Sequence, residues 1–214
     1  MPFSIRCHLL GVIVGPPGNN RFASDILAIN ARQITQRGGF SFISYWWSKM
    51  KSLYLVRHAK SSWKNPHLDD FERPLNKRGR KNAPFMGKVL KKLKVAPDLV
   101  ISSPANRAAT TARMIASAIK FPLENIRYSE TVYEFSENAL IPVVQQIDDA
   151  VNKAMIVGHN PAINGLANYI GDQPVGNIPT CGVYCVKLDI ASWSKIGEHC
   201  GKLEFFEFPK KHVS

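Results

Sequence analysis

From Lys51 onward the chain alternates between two kinds of apolar patterning. Short apolar runs bounded by breakers or charges have the length and composition of strands: "SLYLV", "PDLVIS", the brief "NIRYS", "KAMIVG", and near the end "GVYCVKLD" and "KLEFFEF". Between them lie longer amphipathic stretches, which predict helices. "NKRGRKNAPFMGKVLKKL" starts at Asn76 as its N-cap and is expected to be disturbed at Pro84. "PANRAATTARMIASAIK" is opened by Pro104, and "NALIPVVQQIDDAV" is bent or delayed by Pro142. "NPAINGLANYIG" has Pro161 in its first turn and Gly171 at its exit. Strands alternating with helices build a mostly parallel sheet covered on both faces, a three-layer α/β/α sandwich.

Residues 1–49 break this pattern. "GVIVGPPGNN" and "RQITQRGGFSFISYWW" mix breakers with short apolar runs of no clear period, which predicts a poorly ordered extension. "CHLLGVIVG" has the length of a signal-peptide core, but only Arg6 precedes it and no convincing small-residue cleavage site follows. The expectation is a native start at Met50, a domain over residues 50–208 and a short basic tail over 209–214.

Composition narrows the class. The 214 residues suit one domain with an appendage, and a hydrophobic fraction of 45% with 21% charged residues is ordinary for a globular fold. No apolar run approaches the roughly 20 residues of a membrane-spanning helix, so an integral membrane protein is not expected, and the expected location is the reducing cytoplasm that the cysteine usage fits. Cys7, Cys181, Cys185 and Cys200 make no dense disulfide framework and lack a second Cys/His pair for zinc, so they read as small buried hydrophobes. The net charge of +12 asks for an anionic partner. Much of it lies in residues 76–94, which contain no acidic residue. That run reads first as a solvated helix face, then as a docking surface for an acidic partner. With Phe85 the one aromatic among the cations, a base-stacking platform is poorly supported and no nucleic acid is expected.

In open parallel sheets the ligand crevice lies beyond the carboxyl ends of the strands. The first strand ends in Arg57 and His58, the second is followed by Arg107 one turn into its helix, and the fourth by His159 and Asn160. Two arginines and two histidines would meet there, with helix N-termini beginning at Pro104 and Asn160 adding partial positive charge. This is a phosphate site. A neutral His58 imidazole is a nucleophile for phosphorus, and the arginine forks can bind nonbridging oxygens as charge is redistributed. His159, if protonated, adds a third cation, while Ser61 and Asn160 are candidate phosphate or substrate contacts. No aspartate-rich magnesium cluster accompanies these motifs, so no metal or other cofactor is expected.

"YLVRHAKSSW", "RPLNKRGRKNA", "DLVISSPANRAATTA" and "MIVGHNPAI", in this order, resemble the histidine phosphatase superfamily with its phosphoglycerate mutase-like fold. Within it, the chain resembles the short bacterial phosphohistidine phosphatase branch, over about residues 51–190. The resemblance implies that Arg57 binds phosphate, that His58 is the phosphorylated nucleophile, and that Arg107 and His159 complete the pocket. Ala59 departs from the Gly that many members carry, which is tolerable only if the backbone there avoids positive φ.

The reading is a metal-independent phosphatase working through phospho-His58, most simply on a phosphohistidine-bearing protein held in part by the basic helix. A phosphomonoester needs an acid for its departing alkoxide, whereas phosphohistidine expels an imidazole, a far better leaving group. Glu134 in "TVYEFSENA" is the candidate acid and equally a surface carboxylate, which leaves a small-molecule phosphomonoesterase as an alternative. A second alternative is a basic phosphoprotein- or nucleic-acid-binding module without turnover, though binding alone needs no nucleophilic histidine. Mutase activity is disfavoured because no obvious insertion is present to enclose a sugar or glycerate phosphate. Asp69, Asp70 and Glu72 read as loop solvation or as partners of nearby cations, and Arg73 resembles a motif position with no role assigned. Trp63 reads as a lid or packing residue, Thr180 and Cys181 as a pair at the start of a strand, and His8, His67, His199 and His212 as surface histidines.

Overall fold

The strands that pattern predicts are all present in a computed structural model, which describes residues 50–134 and 136–212. They are β1 (Met50–Arg57), β2 (Leu99–Ser102), β3 (Ile126–Tyr128), β4 (Lys153–Gly158), β5 (Val183–Asp189) and β6 (Gly201–Glu207). They form one sheet in the order β3-β2-β4-β1-β5-β6. The first four pair in parallel, while β5 runs antiparallel to both β1 and β6. The antiparallel β5–β6 pair has a simple cause: no helix of crossover length separates the two strands, only a turn at Trp193–Lys195, and so short a connection returns antiparallel.

Four helices cover the sheet: α1 (Lys77–Lys92), α2 (Asn106–Ile119), α3 (Glu137–Gln145) and α4 (Ala162–Ile170). Alternate residues of β1 divide between the two layers. Tyr54 and Val56 pack with Ala83, Met86 and Leu90 of α1 and with Ala112, Ile115 and Ala116 of α2. Leu53 and Leu55 pack with Leu140 and Val144 of α3 and with Ile163, Leu166 and Ile170 of α4. The result is the expected three-layer sandwich, because a strand buried on both faces needs an apolar partner on each.

The helix boundaries hold where capping is local. Asn76 accepts from the Gly79 N–H at 2.9 Å and starts α1 as expected. Pro84 does not interrupt α1, since Ala83, Met86 and Leu90 on either side of it are buried and hold the helix against the sheet. Pro142 likewise lies inside α3, which ends at Gln145 rather than running on to Val151. There the Ile147 N–H turns back to the Val144 carbonyl and the Asp148 side chain caps the next turn at Ala150.

Several lesser expectations can also be placed. Cys181 and Cys185 are buried free thiols, and burial pushes the Cys181 pKa up to about 12. His199 and His212 have partners after all: the first bonds the Gly171 carbonyl, and the second pairs with Glu207 at 2.6 Å within the Pro209–His212 turn. Among the described residues no helix is long and apolar enough to cross a membrane. The expected N-terminal extension, residues 1–49, lies outside the described residues.

Candidate active site

The chain does not stop hydrogen bonding where β1 ends. His58 N–H continues the ladder to the Gly158 carbonyl of β4 at 3.0 Å, and Ala59 N–H donates to Thr111 Oγ1 at 3.0 Å. Thr111 in turn donates to the Arg107 carbonyl at 2.6 Å, so the backbone after His58 is tied to the helix that carries Arg107. Ala59 is fully buried and is not among the residues with positive φ, which is the condition that an alanine requires at this position. On the other side Cys181, with φ 64°, turns its N–H toward both the Arg57 and His58 carbonyls, at 3.0 and 3.1 Å. Cys181 thus closes the strand end just ahead of β5.

His58 is oriented by one bond. Its Nδ1 lies 2.7 Å from the Ala59 carbonyl oxygen, which can only accept. Nδ1 therefore carries the proton and Nε2 keeps its lone pair. The His159 ring sits 5.0 Å from that of His58, is 1% exposed, and has its Nε2 2.9 Å from Ser103 Oγ. Burial lowers the pKa of His58 to about 4, with the Arg107, Arg57 and Arg73 charges acting in the same direction against the Ala59 hydrogen bond. Burial also lowers His159 to about 3, helped by His58 and Arg107. Among the protein's own charges both rings are neutral at pH 7, so a protonated His159 is not what this environment supports. The reason is that burial and surrounding cations both work against an imidazolium.

Three arginines converge on the same place. Arg57 donates through Nη1 to the Ile178 carbonyl at 2.8 Å, and its buried Nε has no partner among the described residues. Arg107 is 3% exposed and pairs with Asp70 at 2.7 Å. Arg73 is 6% exposed, pairs with Asp70 at 2.5 Å, donates to Ser61 Oγ at 2.7 Å, and stacks 3.2 Å above the centre of the Trp63 ring. Tyr133 adds a hydroxyl donor to the same carboxylate at 3.1 Å. Burial works against ionisation of Asp70, but the Arg107 charge and the hydrogen bonds from Arg107, Tyr133 and Arg73 outweigh it and hold its pKa below the usual range.

These side chains line a cleft of about 360 Å³ that takes in Arg57, His58, Ser61, Arg107, His159 and Asn160 together with Lys60, Trp63, Asp70, Arg73 and Thr180. Asn160 is anchored through Nδ2 to Asn177 and Ile178 and keeps a buried Oδ1 without a partner among the described residues. Glu134 is exposed and does not line the cleft. Asp70 pairs with the nearby cation Arg73, one of the two readings its sequence setting offered, while Arg73 had no role assigned. The motif position of Arg73 was a usable signal, whereas the Asp70 to Arg107 link spans 37 residues and has no local signature. Chemically, the cleft offers clustered guanidinium donors for a tetrahedral oxyanion and a neutral imidazole whose free nitrogen can attack it.

The comparisons with known proteins agree with this geometry. Residues 53–136 match the model of the histidine phosphatase superfamily (branch 1). The uncharacterized protein ML1117 of Mycobacterium leprae (strain TN) is 29% identical over 168 residues, covering 72% of this chain and all of that protein. The crystal structure of a proposed phosphohistidine phosphatase, SixA from Agrobacterium tumefaciens, superposes with a TM-score of 0.63 at 26% identity over 74% of this chain and 98% of that one. The protein histidine phosphatase SixA complexed with tungstate gives a TM-score of 0.64 at 18% identity, over 75% of this chain and 98% of that one. A strand that ends in Arg57 and His58 beside a cationic cleft suits phosphoryl transfer. Over residues 53–136 the chain is similar to the histidine phosphatase superfamily, its fold is the phosphoglycerate mutase-like α/β fold, and the two likenesses together support a phosphatase.

Proposed function

We propose that residues 50–208 form a phosphohistidine phosphatase domain that acts in the cytoplasm on phosphohistidine-bearing protein, through a phosphoryl group carried transiently on His58. The observation that carries this reading is the His58 Nδ1 bond to the Ala59 carbonyl, which leaves Nε2 as the free nucleophile within a cleft of arginines. In the first step Nε2 attacks phosphorus, the Nε2–P bond forms, and the P–N bond to the substrate imidazole breaks. The Ala59 carbonyl stabilises the positive charge that the phosphorylated His58 ring then carries on its Nδ1–H side. Arg57 and Arg107 hold nonbridging oxygens, and neutral His159 supplies a further polar contact. In the second step water attacks phosphorus, the Nε2–P bond breaks, and inorganic phosphate leaves with His58 returned to its neutral form.

The substrate class follows from the leaving group. Asp70 is the one carboxylate that lines the cleft among the described residues, and its arginine partners hold it ionised, which makes it a poor proton donor. An imidazole departs without a dedicated acid far more readily than an alkoxide does, so the cleft favours phosphohistidine over a phosphomonoester. Guanidinium groups in place of a metal also support metal-independent turnover.

The test is phosphate release from a phosphohistidine-bearing protein in excess EDTA, with wild type and His58→Ala in parallel. Turnover is expected from the wild type and a loss of more than about a thousandfold from the variant. Release by neither protein would overturn the reading. Glu134→Gln separates the phosphomonoesterase alternative: a large loss on alkyl phosphates would assign Glu134 as an acid, and unchanged rates on both substrates would leave it a surface carboxylate.

A further inference from the structure

A second groove of about 430 Å³ continues from the phosphate cleft and shares Arg57, Lys60 and Thr180 with it. Its far part is lined by Arg78 and Asn82 of α1, Asn177, and the segment Phe208 to Lys210. Lys60, Arg78 and Lys210 are exposed, no carboxylate lines the groove, and none of the three side chains forms an ion pair with another described residue. Elsewhere the C-terminal cations are matched, as Lys211 and His212 both pair with Glu207. The groove therefore holds uncompensated positive charge directly beside the reacting centre.

The geometry points to this groove as the docking subsite for an acidic polypeptide segment flanking the phosphorylated residue, an assignment that rests on the phosphohistidine reading given above. Three features favour a peptide over a nucleic acid. The groove is continuous with the phosphate cleft, so a chain whose phosphorylated side chain enters the cleft must lay its neighbours along the groove. The Asn82 amide offers a donor and an acceptor, and Asn177, whose Oδ1 already accepts from Arg57 and Asn160, offers its amide donor, which suits an extended peptide backbone. Pro179, Phe208 and Pro209 supply apolar walls between the cations, which fit aliphatic stems of Glu side chains. Opposite charges on the two partners would steer encounter and fix the direction in which the substrate lies.

The test compares two labelled peptides that carry the stable phosphohistidine analogue phosphoryl-triazolylalanine, one flanked by Glu and Asp and the other by Gln and Asn. Binding is read by fluorescence anisotropy at two salt concentrations with wild type and with the double variant Arg78→Glu, Lys210→Glu. Hydrolysis of phosphoimidazole, too small to reach the groove, is measured alongside. The wild type is expected to bind the acidic peptide about tenfold to a hundredfold more tightly, with the difference shrinking in salt and vanishing in the variant. Phosphoimidazole turnover is expected to be the same for both proteins. Equal affinity of the wild type for the two peptides, or equal loss of both peptides in the variant, would overturn the subsite. Loss of phosphoimidazole turnover in the variant would also overturn it, since the charges would then act on the reacting centre itself. If wild type fails on phosphoimidazole yet discriminates the peptides through Arg78 and Lys210, the docking subsite stands and the phosphohistidine reading falls.

Discussion

β1 carries a basic residue near each end, Lys51 and Arg57, and the two are held in opposite ways. Lys51 is 1% exposed, and its ammonium group meets the Asp149 carbonyl at 2.6 Å, the Val151 carbonyl at 2.9 Å and Asn152 Oδ1 at 3.4 Å. Three donors meet three acceptors, and the indole of Trp193, itself bonded to the Val151 carbonyl, closes over them. Arg57 is half-buried, spends one nitrogen on the Ile178 and Asn177 oxygens, and leaves its buried Nε unmatched among the described residues. A buried cation whose donors are all satisfied locks a fold together, while one with a donor left over faces a ligand. The amino end of the sheet is therefore structural and the carboxyl end chemical, although the residue types alone look alike.

Substituting the two cations in turn puts that contrast at risk. Arg57→Met is expected to lower kcat/KM by a factor on the order of a hundred to a thousand, the usual cost of removing a group that stabilises transition-state charge. Its melting temperature is expected to move little. Lys51→Met is expected to do the reverse, destabilising by about 1–3 kcal/mol because the Asp149 carbonyl and Asn152 Oδ1 lose the donor that Lys51 supplies and the Val151 carbonyl keeps only Trp193, with phosphate release below the transition changed less than twofold. Denaturant unfolding and steady-state kinetics on both variants decide the matter. Activity loss without destabilisation in Lys51→Met would erase the distinction between the two ends.

The pH dependence of stability sharpens the same comparison, since the histidines belong to the carboxyl end. Burial holds His58 at about 4 and His159 at about 3, so the unfolded chain binds protons that the native state refuses. Stability is then unaffected by these groups above the ordinary histidine value of about 6.5 and falls as the pH drops below it. Each ring contributes a slope of about 1.4 kcal/mol per pH unit until its native value is reached. Urea titrations at several pH values are expected to show this loss, roughly halved in His58→Asn. A stability that does not change between neutral and mildly acidic pH would contradict neutral, buried rings.

The smallest effects concern the carboxylate that aligns the arginines. Asp70→Asn is expected to lower kcat about tenfold, because Arg107 and Arg73 lose the charged partner that sets their angles. Tyr133→Phe removes only one hydrogen bond to Asp70 and is expected to cost less than about threefold. A rise in kcat for Asp70→Asn would mean that the carboxylate competes with phosphate instead of orienting its ligands.

Much of this was legible in the chain because it is local. "LYLVRH" shows a strand and the two residues at its tip, "NRAATT" places Arg107 one turn into a helix, and "VGHNP" repeats the arrangement at β4. Asn76 announces the start of α1 through a bond to Gly79, three residues away. Other features had no such trace. The reversal of β5 depends on which connection returns to the sheet, and the Asp70 bridge to Arg107 joins a loop to a helix far along the chain. The placement of Glu134 outside the cleft depends on how the segment after Tyr133 leaves the site, and the exposed basic run resolves into one residue, Arg78, that reaches the groove beside it.

By itself, then, the sequence determined the alternation of strands and helices, the two-faced burial of the sheet and the chemical character of three strand ends. Those depend on period, caps and immediate neighbours, which a chain carries in order. Only the tertiary structure decided which cations are satisfied, which nitrogen of His58 is free, that both histidines are neutral, and that Asp70 couples two arginines. Those depend on pairings such as Lys51 with Val151, Arg57 with Ile178 and Arg107 with Asp70. Electrostatic roles are set by what remains nearby once water has been excluded, and that is a property of the packed molecule.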